Sequence, residues 1–192
     1  FDGNWEREER SIGIWEGLTV ERVATNKAKE VAAYREVTTI WAVTAQDKQV
    51  ILNEIPNADV RVVSNIHEPI LTTYQDNGTN TILFIGNYTH YPNISAIETL
   101  ALTIFPKVKR VIKDAQLIIA GSQATETVIN LANQPGIIYR GFIEEKEIDD
   151  LYKDTFLSVS PLLTGAGIKG KICEAIAYMT PVVTNKIGNE GI

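Results

Sequence analysis

The run FLSVSPLLTGAGIKGKICEAIAYMTPVVT, Phe156–Thr184, holds the pattern that sets the fold. FLSVS (Phe156–Ser160) reads as a short apolar strand, KGKICEAIAYM as an amphipathic helix, and PVVT (Pro181–Thr184) as another strand. Between the first strand and the helix lie Gly165, Gly167 and Gly170, at G-x-G-x-x-G spacing, with Lys169 and Lys171 crowded beside them. Towards the N-terminus the same unit recurs. TILFIG (Thr81–Gly86) leads into a helix expected from Pro92 to Lys113, QLIIAG (Gln116–Gly121) into QATETVINLAN, and IIYRG (Ile137–Gly141) into EKEIDDLYK. Apolar strands alternating with amphipathic helices predict a parallel sheet covered on both faces. Right-handed crossovers then make it a doubly wound, Rossmann-like α/β layer. Ligands of such sheets bind at the carboxyl ends of the strands, where Gly86, Gly121, Gly141 and the Gly165–Gly170 loop all lie.

Further upstream, Leu18 to Glu36 reads as a helix, TTIWAV (Thr38–Val43) as a strand, and AQDKQVILNEI as a helix capped by Thr44 and broken by Pro56. ADVRVV (Ala58–Val63) is another strand. SNIHEPILTTYQDNGTN is polar and ends in the Asn77-Gly78 turn signal, which predicts an interdomain linker. The expected division is therefore a first segment at residues 1–63, a linker at 64–80 and a second domain at 81–192. The chain opens without methionine and stops soon after an apolar strand, which predicts an excised or incomplete chain, truncated at its C-terminus.

Composition narrows the function. The 192 residues are 44% hydrophobic and 22% charged, as in ordinary globular proteins, and the formal net charge of −6 argues against a broad nucleic-acid footprint. Cys173 is the single cysteine, which fits a reducing, cytoplasmic compartment; with His67 and His90 it makes no metal-ligand cluster. No apolar run approaches the ~20 residues of a membrane span.

The glycine spacing first suggests a nicotinamide or flavin dinucleotide. In that fingerprint, however, the first glycine follows its strand directly, near the start of the domain. Here Pro161 to Thr164 intervene, and Glu190 lies beyond the place of a ribose-binding acid. The lysines point to another anion. A helix N-terminus carries roughly +0.5 charge, so cations there are unfavourable unless an anion, phosphate above all, joins them. At ~100° per residue, Lys171, Glu174 and Tyr178 share one side of the helix, while Ile172, Cys173, Ile176, Ala177 and Met179 share another. Lys171 could hold a phosphate and Glu174, one turn below, the hydroxyls of a ribose; the alternative is a solvated surface pair.

The stretches TILFIGNYTHYPN, AQLIIAGS, IIYRGFIEEKEIDDLYK and above all GAGIKGKICEAIAYMTPVV resemble the donor-binding domain of retaining glycosyltransferases of family four (glycosyl transferases group 1), with the GT-B fold. TTIWAVTAQDKQVI and DVRVVSN resemble the end of that family's N-terminal domain. The resemblance implies a transferase using a UDP-, GDP- or ADP-sugar between two Rossmann-like domains, without cofactor or metal. It implies that Lys171 binds the diphosphate and Glu174 the ribose, these two being the catalytic pair. Gly86, Asn87, Gly165, Gly167, Ile168, Lys169 and Gly170 would surround the phosphates or sugar, and Arg140, Gly141 and Phe142 would meet the nucleobase. The acceptor is unassigned, and peripheral membrane contact would run through the N-terminal domain.

This sequence departs from the family in two places. Members often carry a first glutamate before the glycine loop. Counted back from Glu174 that slot is Ala166, and aligned on the glycines it is Thr164. The first loop, GNYTHYPN, lacks the family's arginine and lysine, leaving His90 as a substitute or as a merely exposed residue. A non-catalytic nucleotide- or sugar-binding module of the same fold is the alternative reading. Tyr139 and Phe142 are either base-stacking or core aromatics. The isolated chain is expected to bind nucleotide weakly and to transfer sugar poorly or not at all.

Overall fold

The computed structural model describes residues 5–13, 17–64, 68–71, 73, 74, 76, 78–165 and 167–192. Asn77 of the turn signal, five other residues of the expected linker and Ala166 lie outside the described residues. The chain divides into two compact units: Phe1–Ile66 with Thr164–Ile168 and Glu190–Ile192, and His67–Leu163 with Lys169–Asn189.

In the first unit a short helix, α1 (Trp5–Glu9), precedes α2 (Val20–Arg35). Thr19 starts α2 by accepting the Arg22 N–H at 3.2 Å. Strand β1 (Ile40–Ala42) runs into α3 (Ala45–Glu54), which begins with a capping box. The Thr44 hydroxyl accepts the Asp47 N–H (2.9 Å), and the Asp47 carboxylate accepts the Thr44 N–H (3.2 Å). Strand β2 (Val60–Val62) then pairs with β1 in parallel. Ile40, Ala42, Ile51 and Val60 form the small core of this βαβ unit.

The second unit is the expected doubly wound layer. Strands β3 (Thr81–Asn87), β4 (Gln116–Ser122), β5 (Ile137–Gly141), β6 (Leu157–Ser160) and β7 (Val182–Thr184) lie in the order β5-β4-β3-β6-β7, and every pairing is parallel. Successive residues serve opposite faces. Phe84, Leu117 and Ile119 join one core, while Leu83, Ile118 and Ala120 join the other. The first core is closed by α4 (Tyr91–Thr99), α5 (Phe105–Val111) and α6 (Glu126–Asn130). The second is closed by α7 (Glu145–Lys153) and α8 (Gly170–Ala177).

The helix expected from Pro92 to Lys113 is not continuous. A π turn, Leu100–Ile104, separates α4 from α5, with the Phe105 N–H reaching back to the Leu100 carbonyl. Pro106 supplies the reason: it has no N–H for the Leu102 carbonyl, and its ring crowds that oxygen, so the ladder widens by one residue. QATETVINLAN likewise forms only α6 and a short 3-10 turn, Leu131–Asn133, the start being fixed by Thr125 accepting the Val128 N–H. The wheel of α8 also differs from expectation. Ala175 and Tyr178 are buried with Ile172, whereas Ile176 is 49% exposed.

Candidate functional site

The chain builds outward from β3 to β5, then returns to lay β6 on the other side of β3. Strand order therefore reverses between β3 and β6, and the helices following these two strands, α4 and α8, cover opposite faces. This is the switch point at which doubly wound sheets open a crevice.

The crevice floor depends on two glycines. Gly86 and Gly121 are register partners at the ends of β3 and β4. A Cβ on Gly121, whose φ is +127°, would stand 1.8 Å from the Gly86 carbonyl oxygen, so only glycine permits this approach. Ile85, Gly86, Asn87, Gly121 and Ser122 from the strand ends, Asn93 from α4, Phe142 and Ile143 after β5, and Lys171 and Glu174 from α8 line a cavity of about 340 Å³. That volume falls in the range of small-molecule sites.

Lys171 and Glu174, one turn apart on α8, both face this cavity, as the helical spacing predicts. The Lys171 Nζ donates to Asn93 Oδ1 at 2.6 Å and stands 4.4 Å from the centroid of the Phe84 ring. Burial, with Lys169 acting in the same direction, pushes the Lys171 pKa down to about 8. Glu174 is held from behind. The Tyr152 hydroxyl donates to Glu174 Oε2 at 3.0 Å, and the Tyr152 ring, 2% exposed, stacks on Tyr178 at 4.5 Å. Burial first, and then the Glu174 charge, raise the Tyr152 pKa far above that of a free phenol, so Tyr152 stays a donor. Tyr178 donates in turn to Asp149 Oδ1 at 2.6 Å.

The other expected residues are dispersed. The Asn87 Oδ1 accepts from the Thr89 N–H (2.9 Å) and hydroxyl (2.8 Å), which closes the loop after β3. Phe142 is 70% exposed at the crevice rim, whereas Tyr139 packs against the core. Arg140 is exposed on β5 and Gly141 ends that strand. Lys169 is the N-cap of α8 and Gly170 its first residue. Gly165, Gly167 and Ile168 fall in the segment Thr164–Ile168, which belongs to the first unit rather than the one carrying the crevice. His90, exposed, is the N-cap of α4 and makes no capping bond through its side chain. The hydroxyls of Ser160 and Thr164 are buried without a hydrogen-bond partner among the described residues.

Sequence reasoning passed over Asn93 and Tyr152. Asn93 left a faint signal: an amide directly after a proline, in the first turn of the helix that follows the first strand of the layer. Tyr152 left none, since a tyrosine on the apolar side of α7 reads as core.

Among the described residues no three His, Cys, Asp or Glu side chains gather as metal ligands, and no helix is long and apolar enough to cross a membrane.

The family model described as Glycosyl transferases group 1 matches residues 79–192. This chain belongs to the group 1 glycosyltransferase family. A curated relative, the uncharacterized 44.6 kDa protein in cps region of Klebsiella pneumoniae, is 27% identical over 116 residues, covering 57% of this chain and 30% of that protein. The chain thus spans about a third of the length of that relative. Among solved structures, a point mutant of S. aureus TarM in complex with fondaparinux, alpha-GlcNAc-glycerol and UDP superposes with a TM-score of 0.69 at 13% identity, over 92% of this chain and 35% of that one. Anabaena Alr3699/HepE in complex with UDP and glucose gives 0.61 at 14% identity, over 85% and 49%. A UDP-forming trehalose-phosphate synthase from Burkholderia xenovorans gives 0.65 at 11%, over 88% and 52%. At these identities the group 1 chain shares with them the fold alone: a parallel, doubly wound Rossmann-like layer.

Proposed function

We propose that this chain carries the donor-binding domain of a retaining, family-four glycosyltransferase, which moves a sugar from a nucleotide-sugar donor to an acceptor held by other parts of the protein. One observation carries the reading: Lys171 and Glu174 line the same crevice, at the switch point of a group 1 glycosyltransferase layer. In it the Lys171 ammonium neutralises the diphosphate, Glu174 accepts hydrogen bonds from the ribose hydroxyls, and Gly86 and Asn87 approach the phosphates or the sugar. Phe142, exposed at the rim, offers a face to the nucleobase beside the backbone of Arg140 and Gly141. Lys169 and Gly170, at the start of α8, complete the phosphate side.

In the transfer, the bond from the anomeric carbon to the diphosphate oxygen breaks, and the acceptor oxygen bonds to that carbon on the same face. The acceptor's proton passes to the departing diphosphate. The cation at Lys171 stabilises the charge growing there, the kind of preorganised term that dominates many rate enhancements. The donor is a UDP-, GDP- or ADP-sugar, UDP being favoured by the complexes of TarM and HepE. The scheme uses no further cofactor, no metal and no nucleic acid. It takes residues 1–63 as the end of the acceptor-side domain, 64–80 as linker and 81–192 as the donor domain. It sets the protein in the cytoplasm, with membrane contact, if the acceptor is a lipid, made by the N-terminal domain.

Calorimetric titration with UDP-, GDP- and ADP-sugars tests the reading. One of them binds the chain, and Lys171→Ala weakens it at least about tenfold, the worth of one charge-assisted contact. No binding by the unmutated chain overturns the proposal. A second reading, a binding module without transfer, draws on the slot of the family's first carboxylate, which holds Ala166 counted from Glu174 or Thr164 aligned on the glycines. Release of nucleotide from donor and acceptor by the full-length protein decides against it; the 192-residue chain alone is expected to turn over poorly or not at all.

A further inference from the structure

Asn93 is the third residue of α4, a helix anchored in the core by the fully buried Ala96 and Ile97. Its amide makes two bonds in opposite directions: Nδ2 donates to the Asn87 carbonyl at 2.7 Å, and Oδ1 accepts from the Lys171 Nζ at 2.6 Å. The assignment of the two amide atoms is forced, because an ammonium only donates and a carbonyl only accepts. The missing side chain of Gly86 makes room for this amide, since a Cβ there would stand 3.1 Å from Asn93 Cγ.

We propose that Asn93 is the positioning residue of the diphosphate seat: its amide links the end of β3 to α8 and fixes where the Lys171 ammonium stands. This rests on the nucleotide-sugar reading above. Lysine is a point charge on a flexible four-carbon stem, and the Phe84 face attracts it without giving it direction. Asn93 supplies the direction. An ammonium has three donors; one rests on Asn93, and the other two are available to phosphate oxygens. No other side chain of this size does the same. Aspartate would repel the Asn87 carbonyl and add a negative charge beside the diphosphate, leucine would bond to neither group, and glutamine is one carbon too long for the gap that Gly86 leaves.

The test is a double-mutant cycle read by calorimetry with UDP and with uridine, on the unmutated chain, Asn93→Ala, Lys171→Ala and the double variant. Asn93→Ala is expected to weaken UDP by about tenfold and to leave uridine unchanged; on the Lys171→Ala background it costs less than about twofold, because the two residues act as one unit. Equal losses in both backgrounds, or an unchanged UDP affinity in Asn93→Ala, overturn the positioning role while the nucleotide reading stands. If Asn93→Ala loses its circular dichroism spectrum, Asn93→Ser carries the test: its shorter, uncharged side chain lacks the amide that bridges Lys171 and the Asn87 carbonyl. It is expected to bind UDP about tenfold more weakly and uridine equally well, and equal binding of UDP overturns the role. Failure of the unmutated chain to bind UDP, GDP or ADP removes the nucleotide reading and this role with it.

Discussion

Burial at the crevice pushes the Lys171 ammonium down to about 8, with Lys169 adding to the effect, so its charge is within reach of mild alkali. Only the protonated form attracts a diphosphate, and UDP's terminal phosphate is already ionised above pH ~7. UDP affinity should therefore hold near neutrality and fall as pH rises through 8, by at most about tenfold per unit. The fall continues somewhat above 8, because bound diphosphate raises the lysine's pKa in return. Lys171→Arg, which keeps its charge throughout, flattens the profile. Titrations at pH 7, 8 and 9 check this, and a flat profile in the unmutated chain counts against Lys171 as the phosphate's partner. Lys171 and Glu174 could be read from sequence because both sit on one helix, where a spacing of three fixes a common direction. Asn93 left only a faint trace, and Tyr152 could not be read at all. Their bonds to Lys171 and Glu174 bridge 78 and 22 residues, and they exist only because β6 is laid beside β3.

Elements bounded by a local signal fall where the sequence puts them. Thr44 begins α3 through its capping box, and EKEIDDLYK is α7 residue for residue. The π turn escaped because it arises from a conflict: Pro106 breaks the ladder locally while Leu100, Ala101 and Phe105 on either side remain buried in one core. The end of α8 records another conflict. The Thr180 N–H bonds to the Ala175 carbonyl and the Met179 N–H to that of Ile176, both at 2.9 Å, a Schellman motif that sets Met179 at φ +55°. A side chain in this left-handed region costs about 1–2 kcal/mol relative to glycine. Met179, 38% exposed, buries the rest of its side chain, but ordering that flexible chain offsets much of the gain. Met179→Gly should therefore raise stability by about 1 kcal/mol, seen as a higher urea midpoint at unchanged slope. A lower midpoint would mean that the methionine's remaining contacts outweigh the backbone strain.

At the scale of the whole chain, the strand–helix rhythm identified the layer, but strand order did not follow from it, since short apolar strands of similar composition carry no label for their neighbours. The two units also differ in what they bury. Among the described residues, the second holds β3 and β4 between two cores that include Phe84, Leu100, Phe105 and Leu117 on one face and Leu83, Ile118, Leu151 and Tyr152 on the other. The first buries Ile40, Ala42, Ile51 and Val60 under a two-stranded sheet whose other face leaves Trp41 73% exposed. Two short strands with so small a core are marginal by themselves, because local opening there exposes little apolar surface and so costs little. Native-state hydrogen exchange should therefore rank the chain in two tiers. Amides of Leu83–Ile85 and Leu117–Ile119 exchange slowest, near the free energy of global unfolding. Those of Ile40–Ala42 and Val60–Val62 exchange faster by at least about a hundredfold, a gap of roughly 2.7 kcal/mol in opening free energy. Equal protection in both sets would mean that the small core does not open by itself, and that the two units unfold as one.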